Sequence, residues 1–183
     1  MTGETKPSTP TMHPTSAQPG YRLESIEVLH FLSNPVPVSA TILEIDYRVT
    51  VTFRLTQDLK HVILNTIVGA HLKQAPAEQE APLLAEIDVQ TAFATIGLET
   101  LLTEANELML PEPFALSFVN VAIGTTRGIL FAKNFGTRYS PLILPLLDGK
   151  PFIPAKPFDL NKLGEPLGLI VSPQGSENTY TTP

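Results

Sequence analysis

Proline placement is the feature of this 183-residue sequence that most restricts its fold. The chain contains 18 prolines, yet none lies in residues 38–75, 83–110 or 114–140. Proline has no backbone N–H to donate to a sheet, and it breaks the interior of a helix. Regular secondary structure is therefore expected in these three segments, and the prolines mark the connections between them.

The two ends of the chain differ in composition from the rest. Residues 1–20 are polar and rich in Thr, Ser and Pro, and residues 172–183 are similar in character. Segments with few large apolar residues do not bury enough surface to fold, so we predict a disordered arm and a disordered tail. Residues 21–171 are predicted to form a single domain, because their length suits one hydrophobic core. The arm lacks the pattern of a signal peptide and no apolar run reaches about 18 residues, so a cytoplasmic protein without membrane insertion is expected.

Residues 43–56 show the clearest strand pattern, with apolar side chains alternating with polar ones. Further strands are predicted in 21–32, 60–72 and 83–96. Because sequential strands with short connections usually pair, the four segments predict one antiparallel sheet. The apolar series of the clearest strand is Ile45, Tyr47, Val49, Val51, Phe53 and Leu55.

The apolar spacing becomes helical after residue 97. Residues 98–109 carry leucines three and four positions apart with glutamates opposite them, which predicts a helix. A longer helix is predicted from Glu112 to about Phe135, where Gly136 ends it. We also expect one short helical turn in residues 158–163. The predicted fold class is therefore α+β, an antiparallel four-stranded sheet packed against a long helix.

Small residues spaced by four mark one side of the long helix, at Gly124, Gly128 and Ala132. A glycine in a helix interior costs about 1 kcal/mol relative to alanine, so two of them indicate a close backbone approach. Either a contact between subunits or packing of the helix on the sheet explains this pattern, and the sequence leaves both open.

The composition excludes several kinds of site. The chain has no cysteine, which rules out disulfides, iron–sulfur clusters and thiolate zinc sites. His61 and His71 would lie about 33 Å apart on one strand and do not share a metal ion. Eighteen acidic and 12 basic residues give a net charge of −6, which argues against nucleic acid as a partner. We predict no enzyme activity, no cofactor and no metal ion.

Two short motifs have alternative interpretations. Glu86 and Asp88 point the same way from one predicted strand, so they are either an acid pair or part of a solvated strand face. We favour the solvated face. The Gly-Thr-Thr-Arg-Gly sequence of residues 124–128 lacks the spacing of a phosphate-binding loop and lies inside a helical pattern.

Short matches to a known family lie throughout residues 21–148. Residues Tyr21–Ile26 have the aromatic and aliphatic spacing of that family's first strand. Leu84–Ile87 followed by Phe93–Ile96 is similar to its fourth strand. The matches to its long helix, exit turn and Leu-rich proline segment are Asn120, Arg127, Gly136, Thr137 and Pro141–Pro145.

By these motifs and by the order of its elements, the chain resembles the SecB-like protein-export chaperones. The resemblance implies an ATP-independent chaperone for non-native polypeptides, assembled as a dimer of dimers. The family docks an export ATPase through its first and fourth strands, and here Leu84 and Glu86 represent the fourth-strand part. The first-strand positions fall near His30 and Asn34, which are not acidic, and Ala122–Arg127 replaces the family's Leu-Phe-Pro-Tyr-x-Arg. Some divergent members protect antitoxins instead.

A chaperone of this kind needs exposed apolar grooves, and the composition suits one. The chain is 43% hydrophobic and only 16% charged, and large exposed apolar patches usually bind partners. Residues 98–109 either cover such a groove or complete the core. Gly124, Gly128 and Ala132 are the predicted oligomer contact. The residues predicted to contact clients are Leu101, Leu108, Phe114, Phe118, Leu142 and Leu144.

Two other functions remain open from the sequence. An adaptor module would use the same fold to bind one folded protein partner. An enzyme would place a polar pocket between sheet and helix, but no catalytic motif supports that reading.

Overall fold

The computed structural model describes residues 19–35, 42–73, 81–137, 142–160, 167–171 and 179–181. Almost all of the predicted arm and most of the predicted tail lie outside these residues, so their disorder stays a prediction. Of the helical turn predicted in residues 158–163, the structure describes only residues 158–160.

Four long antiparallel strands form the sheet, as predicted. They are β1 (Gly20–Ser33), β2 (Ile42–Leu55), β3 (His61–Leu72) and β4 (Leu83–Ile96). Their order across the sheet is β1-β4-β3-β2, so β2, β3 and β4 form a meander and β1 pairs with β4. The connection from β1 to β2 therefore leads from one edge of the four-stranded sheet to the other.

One face of the sheet forms the hydrophobic core. The alternation predicted for β2 is confirmed, because all six apolar residues from Ile45 to Leu55 are buried. Residues directly opposite one another in an antiparallel pair share a face. Val51 lies opposite Thr66 of β3, which lies opposite Val89 of β4, and all three are fully buried.

The long predicted helix is confirmed as α1 (Glu112–Asn134), which lies against β3 and β4. It begins directly after Pro111, and Pro113 occupies its first turn. Backbone N–H groups in the first turn have no acceptor within the helix, so proline is tolerated there. Gly136 follows its end with a φ of 76°, a conformation that favours glycine. Phe118 inserts between the helix and the sheet, with its ring centroid 4.7 Å from that of Phe93.

The prediction of a helix in residues 98–109 was wrong. Only Leu98–Leu101 form a single 3₁₀ turn, and the chain then enters the short strand β5 (Glu107–Leu108), which pairs with β6 (Phe158–Asp159). A turn between Thr103 and Glu107 breaks the helix, with Asn106 at a φ of 59°. In the helical turn expected at 158–163, Phe158–Asp159 form strand β6 instead, whereas Leu160 is in 3₁₀ conformation.

Two short strands near the C-terminus were not predicted. Both β7 (Leu167–Val171) and β8 (Thr179–Thr181) pair antiparallel with β2. They extend the sheet beyond β2, and they place three residues of the predicted disordered tail in a strand.

Candidate functional site

Strand β1 carries apolar side chains that helix α1 does not cover. Leu23, Ile26 and Val28 lie opposite buried residues of β4, which places them on the helix side of the sheet. Their side chains are nevertheless 38–45% exposed, because α1 lies over β3 and β4. Leu29, at a bulge next to them, is 45% exposed. We call these four residues the apolar strip.

Aromatic groups border the apolar strip at both ends. Near the start of β1, the ring of Tyr21 contacts Phe93, Phe114 and Phe118 at centroid distances of 4.7–5.8 Å. Near the other end, the ammonium group of Lys133 lies 5.9 Å from the ring centroid of Phe31. The apolar strip is thus a shallow surface between two packed ends.

The backbone beside the apolar strip is open. Within the described residues β1 pairs only with β4, so the N–H and C=O groups along its other edge have no strand partner. Its 14 residues span about 46 Å at 3.3 Å per residue. Exposed strand edges accept further strands, and the two bulges of β1 reduce this tendency without removing it. Unpaired backbone and apolar side chains together suit an extended polypeptide.

The residues predicted to contact clients lie mostly elsewhere. Leu108, Phe118, Leu142 and Leu144 are 0–1% exposed and belong to the core, where the spacing of their apolar side chains is explained by packing. In this conformation they do not reach a client. Leu101 and Phe114 are only partly buried, and Phe114 borders the apolar strip through Tyr21.

The two residues predicted to dock a partner differ in exposure. Leu84 is 1% exposed and packs in the core, so its side chain is not available for docking. Glu86 is partly exposed and lies opposite Gly69, on the face of the sheet away from α1. Only Glu86 remains a candidate for docking.

This outer face of the sheet is largely polar, although Ile63 and Ile67 of β3 also lie on it. Arg54 donates hydrogen bonds to Gln90 at 2.9 Å and to Asn65 at 3.4 Å. Asp88 shares the face with Glu86, as predicted, and its Oδ1 atom is buried without a hydrogen-bond partner among the described residues. Partial burial raises the pKa of Asp88, and the charge of Glu86 adds to this, whereas Asn65 and His30 act in the opposite direction.

Replacing Asp88 by asparagine is expected to stabilise the fold at neutral pH. The folded state holds the Asp88 proton more tightly than the unfolded chain does, so wild-type stability falls as pH rises from about 3.8 through the folded pKa. Urea unfolding of D88N and wild type should therefore differ most near pH 7 and converge below pH 3.8. Asp46→Asn, a carboxylate on the same face, is the control. Equal stabilities at pH 7 would contradict this prediction.

Two of the histidines in the described residues, His61 and His71, have local partners. The Nε2 atom of His61 lies 2.9 Å from the carboxylate of Glu24, and Nδ1 of His71 lies 3.3 Å from the carbonyl oxygen of Ala81. Across the described ranges, the structure contains no group of three or more His, Asp or Glu side chains placed to bind a metal ion.

The glycines of α1 do not make room for the sheet. A Cβ atom added to Gly124 or Gly128 would meet nothing within 4 Å, and both residues are exposed together with Ala132. Of the two explanations left open by the sequence, helix-on-sheet packing is therefore wrong for these positions. Phe131 of α1 and Phe135, directly after the helix end, are both exposed, with ring centroids 5.9 Å apart. This side of α1 is apolar and narrow, and no other part of the described chain covers it.

Helix α1 is the one helix in the described part of the chain that is long and apolar enough to span a membrane. Eight of its side chains pack in the core, and a core helix meets the same two criteria.

No protein-family model matches the chain, and the search of curated proteins also returns no match.

Proposed function

We propose that the protein is an ATP-independent chaperone that binds non-native polypeptide in an extended conformation. One observation carries this proposal: the apolar strip lies beside the open edge of β1. A client strand placed there gains main-chain hydrogen bonds, which do not depend on its sequence. Its alternate side chains cover the strip, which would otherwise remain in water.

The chemistry of the site supports a holding role. The strip accepts any aliphatic or aromatic side chain, and the outer face of β1 carries Glu24, Glu27 and His30 in solvent. Non-native chains expose such apolar side chains, whereas folded proteins bury them. The order of the secondary-structure elements and the motifs of residues 21–148 support a SecB-like chaperone. We propose that it acts in the cytoplasm. We include an export ATPase or an antitoxin as a further partner, with Glu86 as the contact.

Suppression of aggregation by the purified protein tests the proposal. We expect near-stoichiometric amounts to prevent light scattering by several unrelated proteins that are diluted from denaturant. No nucleotide should be needed. Failure with every client would reject the chaperone function. A single tight partner, together with indifference to unfolded chains, would instead support an adaptor that binds one folded protein through the same strip.

We also propose that the chain assembles into a homo-oligomer, a dimer of dimers, through the exposed side of α1. Two helical glycines with open space around them are unfavourable in an isolated subunit, since each costs about 1 kcal/mol relative to alanine. A second helix that packs closely at Gly124, Gly128 and Ala132 would offset this cost, because small residues let two helix backbones approach each other.

Two substitutions at one position test the contact. Gly128→Ala improves helix propensity and adds little bulk, so the oligomer should persist. Gly128→Leu also improves helix propensity but blocks close approach, so the subunits should dissociate at least tenfold more readily in light-scattering measurements over a concentration series. A wild-type monomer at all concentrations, or equal masses for wild type and G128L, would contradict this prediction.

A further inference from the structure

Three fully buried threonines lie where helix α1 meets the sheet. Thr66 of β3 and Thr91 of β4 lie on the core face of the two strands that α1 covers, and Thr126 lies on the buried side of α1. The hydroxyl of Thr126 donates to the carbonyl oxygen of Ala122 in its own helix, at 2.9 Å. The hydroxyls of Thr66 and Thr91 have no hydrogen-bond partner among the described residues. Within the described chain, none of these three hydroxyls links the helix to the sheet.

The last residue of α1 is a further buried polar group. Asn134 is 1% exposed, and its Nδ2 atom has no hydrogen-bond acceptor in the part of the chain that the structure describes. A buried donor without an acceptor loses its hydrogen bonds to water and gains none in return. Thr66, Thr91 and Asn134 gain hydrogen bonds when water reaches them. They therefore favour a conformation in which α1 has moved away from the sheet.

The two halves of α1 are held differently. In the N-terminal half, Phe118 packs among three other aromatic rings at centroid distances of 4.7–4.9 Å, and we call this group the aromatic cluster. A Cβ atom on Gly149 would lie 2.6 Å from Oδ1 of Asn120, so a loop also packs tightly against this half. The buried side chains after Ala122 are all non-aromatic, and they are Ile123, Thr126, Leu130 and Asn134. The C-terminal half is thus the part of α1 that is held less firmly.

The surface beneath the C-terminal half of α1 is apolar. The ammonium group of Lys133 lies over the ring of Phe31, which lies opposite Ile87 of β4, and Ile87 lies opposite Val68 of β3. Ile87 and Val68 are 0% exposed. Because β4 pairs with β1, this buried surface is continuous with the apolar strip.

We propose that the C-terminal half of α1 lifts from the sheet about the aromatic cluster, and that the uncovered face of β3 and β4 extends the apolar strip as a binding surface for non-native polypeptide. This inference rests on the proposed chaperone function for the identity of the occupant. The opening itself rests on the buried polar groups and on the uneven packing of the helix. Opening also exposes apolar side chains, so the closed form predominates until a client binds the open form and shifts the equilibrium.

Hydrogen exchange of the full chain tests the opening without any assumption about clients. In wild type, the backbone amides of residues 122–130 should exchange at least tenfold faster than those of β3 and β4, because a local opening needs less free energy than global unfolding. Thr66→Val with Thr91→Val replaces both unpaired hydroxyls by methyl groups, and it should slow the exchange of residues 122–130 at least threefold. Thr95→Val is the matched control, since the buried Thr95 donates to the carbonyl oxygen of Leu59 at 2.9 Å.

Binding of reduced, carboxymethylated α-lactalbumin tests the occupant. We expect the double valine variant to bind at least threefold less of this client than wild type, because its closed form is favoured. The control Thr95→Val keeps both unpaired hydroxyls, so it should bind as much client as wild type.

The two measurements fail separately. Equal exchange of residues 122–130 and of β3 and β4 in wild type would overturn the opening, and so would an exchange rate that the double variant leaves unchanged. Equal client binding by wild type and the double variant would overturn the client as occupant, and Thr91→Val alone decides if the double variant does not fold. A wild-type chain that binds no client would reject the chaperone function together with this occupant, while the exchange result would still stand.

Discussion

Replacing Ile26 by aspartate is expected to reduce the suppression of client aggregation at least tenfold. Ile26 is 45% exposed at the centre of the apolar strip, beside the open edge of β1. Fully burying an isoleucine contributes about 1.5–3 kcal/mol. The exposed part of Ile26 accounts for nearly half of this, and a carboxylate there would also have to lose water. Each 1.4 kcal/mol corresponds to about tenfold in affinity. The measurement is the amount of protein that halves light scattering by an aggregating client.

Ser25→Asp is the matched control for this change. Ser25 directly precedes Ile26 on the same strand, it is exposed, and it lies opposite Ala92 on the outer face. Both variants add one negative charge to β1, but only I26D places it on the strip. Equal loss of activity in the two variants would indicate a general effect of charge. Full activity in I26D would remove the strip from the client site.

Replacing Phe118 by alanine is expected to lower the free energy of unfolding by about 3–5 kcal/mol. Phe118 is fully buried, and its ring contacts those of Tyr21, Phe93 and Phe114 at 4.7–4.9 Å. Such a loss is a large fraction of the 5–15 kcal/mol typical of a domain. Urea unfolding followed by circular dichroism measures it.

Phe131→Ala provides the comparison on the same helix. Phe131 is 41% exposed, so the same change in side chain should cost much less stability. The two variants also distinguish the two roles considered for Phe118, which are contact with a client and packing in the core. A stable F118A protein that no longer binds clients would support the client contact predicted from the sequence, whereas a destabilised one supports the core position.

Secondary-structure elements whose apolar residues recur at a regular spacing were predictable from the sequence. In β2 the apolar residues recur every second position, and one face of the strand is buried as that pattern requires. The bounds of α1 followed from Pro111 and Pro113, which favour a helix start, and from Gly136, which favours a helix end.

Residues 98–109 show why spacing alone was insufficient there. Leu98 and Leu108 are fully buried although the predicted helix does not form, whereas Met109, on the same predicted apolar face, is 49% exposed. A 3₁₀ turn and a short strand satisfy the same burial, and Asn106 tolerates the positive φ that interrupts a helix. Strand β7 was missed because its register depends on β2, more than 100 residues earlier in the chain.

The candidate site depended on topology. The sequence predicted β1 as a strand with Ile26 and Val28 among its apolar residues, but no local pattern shows that a strand lies at an edge. That position follows from pairing with β4, which the sequence does not encode locally. The leucines and phenylalanines favoured as client contacts were instead the largest apolar side chains, and large apolar side chains are those that a core most often buries.

The order of the strands affects how the chain folds while it is being synthesised. Strand β1 is synthesised first, yet the strand it pairs with, β4, is complete only at Ile96, 63 residues after Ser33. At about 5–20 residues per second, β1 waits about 3–13 s for its partner. Throughout that interval, the nascent chain exposes the same aliphatic side chains that the finished subunit is proposed to offer to others. Newly made subunits would then be clients of those already folded.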